Sequence, residues 1–266
     1  VHPDFPVRAW NLCNFNGNFK GSFFPAYIWV KRLGMNTGHA KLGYAKNAHF
    51  AGHPRVYGRM KESHPEYFAI IGGERHDHHA CYSSEGLVQE TVRFAQFMYD
   101  HYDQPCVSIW PADGFQKCEC ESCKDKTPSE VVWGFVDRVA RELYRTHPDR
   151  MVLCGAYTSY AEPPSNIEKF SPNVLVYIAN RGRPLFDNPT HWKRYWDLIA
   201  GWQSKTAPGR IIRGDNNRYS LKGGRGKGKP DFPVIHPRNM AKDLHAMKGI
   251  SIGERGEVSQ TKARWA

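Results

Sequence analysis

Residues 105–157 read "PCVSIWPADGFQKCECESCKDKTPSEVVWGFVDRVARELYRTHPDRMVLCGAY": an apolar run, a polar loop, an amphipathic stretch and a second apolar run. The outer runs, "PCVSIW" (105–110) and "RMVLCGAY" (150–157), are short, rich in β-branched or aromatic residues and bounded by turn formers. That pattern predicts strands. Between them "SEVVWGFVDRVARELYRTHPD" (129–149) spaces apolar residues three and four apart, opens on a Ser that can cap it and meets a Pro at its end, which predicts a helix. A strand, a helix and a strand in succession form a crossover between parallel strands.

The same alternation extends in both directions. Further strands are expected at 6–10, 37–42, 173–179, 210–215 and 249–254, and further helices at 84–102, 191–202 and 237–248. In the first of these helices Leu87, Val88, Val92, Phe94, Ala95 and Met98 form the apolar stripe. Seven strands without a Gly-rich phosphate loop predict an α/β fold of the (β/α)8 TIM-barrel type rather than a doubly wound sheet. The chain stops at "TKARWA" soon after the seventh strand, so the last strand and helix are expected to be missing, a truncation at the C-terminus. No repeat or linker divides it, and residues 1–266 are read as a single domain.

Composition narrows the classes of function. No window is apolar enough to span a bilayer, and "VHPDFPVRAWN" lacks the basic start and apolar run of a signal peptide. The formal net charge is +11, and between Arg181 and Lys229 there are 12 basic residues against 3 acidic ones. "LKGGRGKGKP" (221–230) has the character of a flexible basic loop. Such charge can attract a polyanion, or it can simply solvate a loop. Basic residues interleaved with aromatics at regular spacing, which would suit nucleic acid, are absent, so no nucleic-acid partner is expected.

In parallel α/β barrels chemistry sits where strands end and their loops begin. Those positions hold Arg8 and Trp10, His39 and His49, Trp110 and Asp113, Tyr157 and Tyr160, Asn180 and Arg181, Asp215, Asn216, Asn217 and Tyr219, then Glu254 and Glu257. Tyr and Trp rings can stack on sugar faces, and two separated carboxyls can share acid and base duty. Asp113 precedes Gly114 after an apolar strand, which suits a carboxyl at a barrel mouth and equally an Asp that bonds its own turn. Glu254 ends the last strand between Gly253 and Gly256, free to meet a ligand or to pair with Arg255.

Seven cysteines stand at 13, 81, 106, 118, 120, 123 and 154, an odd number that argues against a closed disulfide framework. Cys118, Cys120 and Cys123 crowd three thiols into one loop. A structural zinc site needs four ligands, and Cys81 in "HHACYSS" is the natural fourth, with His78 or His79 as substitutes. A disulfide plus a free thiol fits the spacing as well.

Several stretches together resemble the DUF4838 proteins: "NAHFAGHPRVYGRMKESHPEYFAIIGGER" (47–75), "ACYSS" (80–84), "VSIWPADGFQKCECESC" (107–123), "HPDRMVLCGAYTSYAEPPSNI" (147–167) and "PNVLVYIA" (172–179). The match is densest over 64–69 and 113–123. It implies a glycoside-hydrolase-like barrel from a family that includes endo-β-N-acetylglucosaminidases acting on complex N-glycans. Its members are similar, at a distance, to α-glucuronidases and β-hexosaminidases, and are usually exported by bacteria. The family's four cysteines are matched by Cys81, Cys118, Cys120 and Cys123, its strand-end Asp by Asp113 and its late Glu by Glu254. Ala112 stands where the family often has Asn, and residues 214–232 align poorly.

The expectation is therefore a glycosidase acting on a glycan or polysaccharide, extracellular or periplasmic, with Asp113 and Glu254 as its carboxyl pair. Arg8, His49, Trp110, Tyr157, Asn216, Asn217 and Tyr219 would hold substrate. No cofactor is expected in catalysis, and a structural zinc would lie on Cys81, Cys118, Cys120 and Cys123. The alternative is a non-catalytic barrel that binds an acidic or sulfated polysaccharide through its basic residues.

Overall fold

A computed structural model describes residues 7–11, 60–112, 114–180, 188–215 and 237–257, with the backbone alone at 7–11, 180, 215, 237–240 and 254–257. The strand expected at 37–42 lies outside the described residues. Those described fall into two compact units. The first comprises the described part of 39–177 together with 198–210; the second comprises 7–11, the described part of 178–197, 211–215 and 237–257.

The second unit opens with β1 (Val7–Asn11). The first unit holds β2 (Phe68–Ile71), β3 (Glu74–Ala80), α1 (Glu85–Tyr102), β4 (Cys106–Ser108), α2 (Pro128–Thr146), β5 (Met151–Ala156) and the start of β6 (Val174–Asn180). β4 and β5 pair in parallel, Cys106 opposite Met151 and Ser108 opposite Leu153, and the Ile109 N–H carries the ladder on to the Leu153 carbonyl at 3.0 Å. The crossover read from the sequence is therefore present, with α2 as its helix.

Why α2 begins where it does follows from its first turn. Thr127 caps it, Pro128 stands at its first position, and Glu130 returns a carboxylate bond to the Thr127 N–H at 2.8 Å, a complete capping box. The cap expected at Ser129 is thus displaced by two residues. Ser129 is buried instead and donates to the Glu162 carbonyl at 2.8 Å. The inner face of α2 buries Trp133, whose ring meets Trp202 at 4.3 Å and Phe170 at 5.7 Å between centroids. Both indoles are satisfied, Trp133 by the Tyr160 carbonyl and Trp202 by the Ala161 carbonyl, each at 2.9 Å. Large rings with their one polar atom paired make a core that costs nothing in stranded donors.

In α1 the buried face is Leu87, Val88, Thr91, Val92, Ala95 and Tyr99. Phe94 and Met98, expected on the stripe, are only half-buried, because the 3.6-residue repeat carries the inward face from 88 through 91, 92 and 95 to 99.

One pair of strands was not expected from the sequence. β2 and β3 form an antiparallel hairpin, Ile71 opposite Glu74, through Gly72 and Gly73 at φ 60° and 85°. Two successive left-handed residues are what a tight two-residue hairpin requires, and only glycine takes them without strain.

In the second unit β8 (Ser251–Glu257) lies between β1 and β7 (Ile211–Asp215), parallel to both. Both of its edges are filled. α3 (Pro189–Lys205) leads toward β7, and α4 (Pro237–Met247) bridges β7 and β8 in sequence. The irregular step at Ile211/Ile212 is held by the Ser251 hydroxyl, which donates to the Ile211 carbonyl at 3.1 Å and accepts from the Arg213 N–H at 3.2 Å. Arg213 then pairs with Asp243 on α4, both side chains almost fully buried.

The protein is thus mixed α/β, with parallel strands joined by helices. Among the described residues no helix is long and apolar enough to cross a membrane.

Candidate functional site

The most concentrated chemistry lies just beyond the β2–β3 hairpin. Cys81 follows β3 and its N–H bonds the Tyr67 carbonyl at 2.8 Å, which fixes where the chain turns into α1. The segment 118–123 comes alongside: the Glu119 N–H donates to the Ile70 carbonyl, and the Glu119 carboxylate accepts from the Gly72 N–H, both at 2.8 Å. Its own turn closes through Cys123 N–H to Cys120 O at 2.8 Å. Lys117 reaches back over the following turn, donating to the carbonyls of Cys123 at 3.0 Å and Lys126 at 2.7 Å. The loop is therefore pinned from both sides.

These constraints converge four thiols. The Sγ atoms of Cys81, Cys118, Cys120 and Cys123 all lie within 4.8 Å of one another, and Cys81 and Cys120 are 3.7 Å apart. Cys81, Cys118 and Cys123 are buried, while Cys120 is half-buried, and all four are free thiols. Cys118 Sγ accepts from the backbone N–H groups of Ile70 at 3.3 Å and Cys120 at 3.5 Å. The Ser83 hydroxyl lies 3.1 Å from Cys81 Sγ and 3.4 Å from Cys120 Sγ.

So many sulfurs in one place pull each other's protons apart. Contact with the Cys118 thiol, then with Cys123, holds Cys81 well below the usual thiol range. Contact with Cys118, then Cys81, and burial push Cys123 far above it. A bound divalent ion would allow every thiol to ionise. His78 and His79, the substitutes for a fourth ligand, are not part of this cluster. His79 is buried, and desolvation holds its imidazole below the usual range.

A family model described as "Domain of unknown function (DUF4838)" matches residues 1–208. The chain belongs to the DUF4838 family. None of the curated proteins compared with it matches.

The remaining expected site residues of this DUF4838 chain are placed unevenly. Trp110 is 7% exposed; its ring meets Tyr177 at 5.2 Å between centroids and covers Gly155, where an added Cβ would come within 2.7 Å of it. Tyr157 follows directly on β5 and is half-buried. The next residue, Thr158, has φ 48°, a left-handed conformation that a β-branched residue adopts only under constraint. Arg8 and Glu254 are register partners across β1 and β8, and Glu254 faces Arg213 in the register of β7. Asp113, His49, Asn216, Asn217 and Tyr219 lie outside the described residues.

Sequence reasoning found the four cysteines and missed what supports them. Ser83, the Ile70 N–H, Lys117 and Glu119 carry no motif of their own. The Gly72–Gly73 pair between "FAII" and "ERHDHHA" was the available signal for the hairpin that supplies the Ile70 donor.

Proposed function

We propose that this protein is a glycoside hydrolase acting on a glycan or polysaccharide outside the cytoplasm, and that its parallel strands belong to a (β/α)8 barrel. Asp113 and Glu254 are the candidates for its carboxyl pair. One would protonate the glycosidic oxygen. The other would stabilise the developing positive charge, activate water, or orient an N-acetyl group of the substrate. The observation that supports this reading best is the parallel pairing of β4 and β5. It puts the end of β4, five residues before Asp113, on the same edge as the end of β5, where Tyr157 and the strained Thr158 follow. Loops at that edge are where parallel α/β enzymes keep their chemistry, and constrained backbone there is a sign of a working site.

The test uses purified protein with aryl-glycosides and complex N-glycans, alongside Asp113→Asn and Glu254→Gln variants. Turnover by the parent chain, lost by about a hundredfold or more in each folded variant, is expected on the scale of general acid–base catalysis. Parent-like turnover in both variants would reject the pair. A second reading is favoured by the net charge of +11: a barrel that only binds an acidic or sulfated polysaccharide. Binding that weakens steeply with salt and yields no product would select it.

A further inference from the structure

We propose that Cys81, Cys118, Cys120 and Cys123 form a closed structural zinc site. The inference stands whether or not the glycosidase reading holds, because it rests on the thiols alone.

Geometry comes first. Zinc binds thiolate sulfur at about 2.3 Å in a tetrahedron, whose edges are then about 3.8 Å long. Cys81 Sγ and Cys120 Sγ are 3.7 Å apart, and no pair among the four exceeds 4.8 Å. The cluster therefore has the dimensions of one mononuclear centre. A polynuclear iron–sulfur cluster interposes sulfides between several irons and holds its cysteines farther apart than a single ion does. Hard cations such as calcium and magnesium take oxygen ligands, whereas four thiolates select zinc or iron.

The surroundings of the sulfurs come second. The N–H groups of Ile70 and Cys120 point at Cys118 Sγ, and the Ser83 hydroxyl, able to donate to one sulfur at a time, lies 3.1 Å from Cys81 Sγ and 3.4 Å from Cys120 Sγ. Donors aimed at sulfur favour its ionised, ligating form and orient it toward the ion. These donors come from β2, from the 118–123 turn and from the entry to α1, so all three segments are organised about one point.

Third, the shell is complete. Four protein ligands, three of them buried, leave no open position for water or substrate, which marks a structural site and not a hydrolytic one. The ion would tie the end of β3 to a segment 37 residues further on, between Cys81 and Cys118, and so hold the stretch that leads from β4 into α2. Cys106 and Cys154 stand apart from the cluster and take no part.

Protein purified under reducing conditions without added metal should contain about one zinc per chain by elemental analysis. Blocking the thiols with a mercurial should release it to a metallochromic indicator. The Cys120→Ser protein should lose the metal, and Cys106→Ser should keep it. Because Cys120→Ser removes a ligand, Ser83→Ala supplies a readout independent of that loss. It retains all four ligands and should surrender zinc to a chelator about 10- to 100-fold more readily. Metal-free protein whose intact mass shows disulfides would overturn the proposal, as would stoichiometric iron with its thiolate absorbance. Full zinc in a folded Cys120→Ser protein, or unchanged zinc retention in Ser83→Ala, would also count against it.

Discussion

Cys106 and Cys154 differ from the clustered thiols in one respect that decides their chemistry: each is buried outside the sulfur cluster. Burial pushes both thiols up, far above the range in which a thiolate forms near neutral pH. Alkylation followed by mass spectrometry should leave both unmodified in the native protein and label them promptly in denaturant. A second residue-scale prediction concerns Gly155. An added methyl would lie 2.7 Å from the Trp110 indole, a buried ring that also meets Tyr177 at 5.2 Å between centroids. Gly155→Ala should therefore cost about 1–3 kcal/mol by overpacking, read from the midpoint of chemical denaturation. Neither outcome is legible from residue identity. The sequence shows a Cys in a strand and a Gly in a strand; only packing shows what each touches.

At the scale of elements, α2 is stabilised at its start by a short-range device. The Glu130 carboxyl lies below its usual range, first through the Ser165 hydroxyl and then through the Thr127 N–H and hydroxyl. A carboxyl whose folded value is depressed stabilises the fold above its ordinary value of 4.5 and loses that contribution as pH falls through the lower folded value. Glu130→Gln should accordingly lower stability at neutral pH, with the deficit shrinking below pH 4.5. Thermal unfolding measured across that range checks it. Thr127→Ala removes the other half of the box and should cost about 1 kcal/mol. The helix itself was readable from its apolar spacing, but its first residue was not. Ser129 and Thr127 are both plausible caps, and the choice falls to Thr127 because Pro128 fits the first position and Glu130 then stands three residues on. The β2–β3 hairpin was missed for a different reason. β3 reads "ERHDHHA", largely exposed and with no apolar alternation, so its strand character comes from pairing with β2 and not from burial.

At the scale of the whole molecule, the second unit places a charge pair where composition would not predict one. The Arg213 guanidinium is 3% exposed and the Asp243 carboxylate 1%. Asp243→Ala removes the carboxylate that pairs with this buried cation and should cost about 3–5 kcal/mol, whereas replacing both partners with apolar residues of similar volume should cost far less. Urea denaturation of the single and double variants distinguishes the two.

The chain's own sequence was enough to establish a mixed α/β protein with parallel strands and helical crossovers, because each of those elements is written locally in the repeat of its apolar residues. It also marked the four cysteines, since three of them crowd one short segment. What only the tertiary structure decided is which partners these local features meet: β8 lying between β1 and β7, and Cys81, not His78 or His79, completing the sulfur cluster. Strand neighbours and ligand sets join residues far apart in the chain, and no periodicity records a distance between them. That distance is set by backbone bonds such as Glu119 to Ile70, made only when the two segments have already come together.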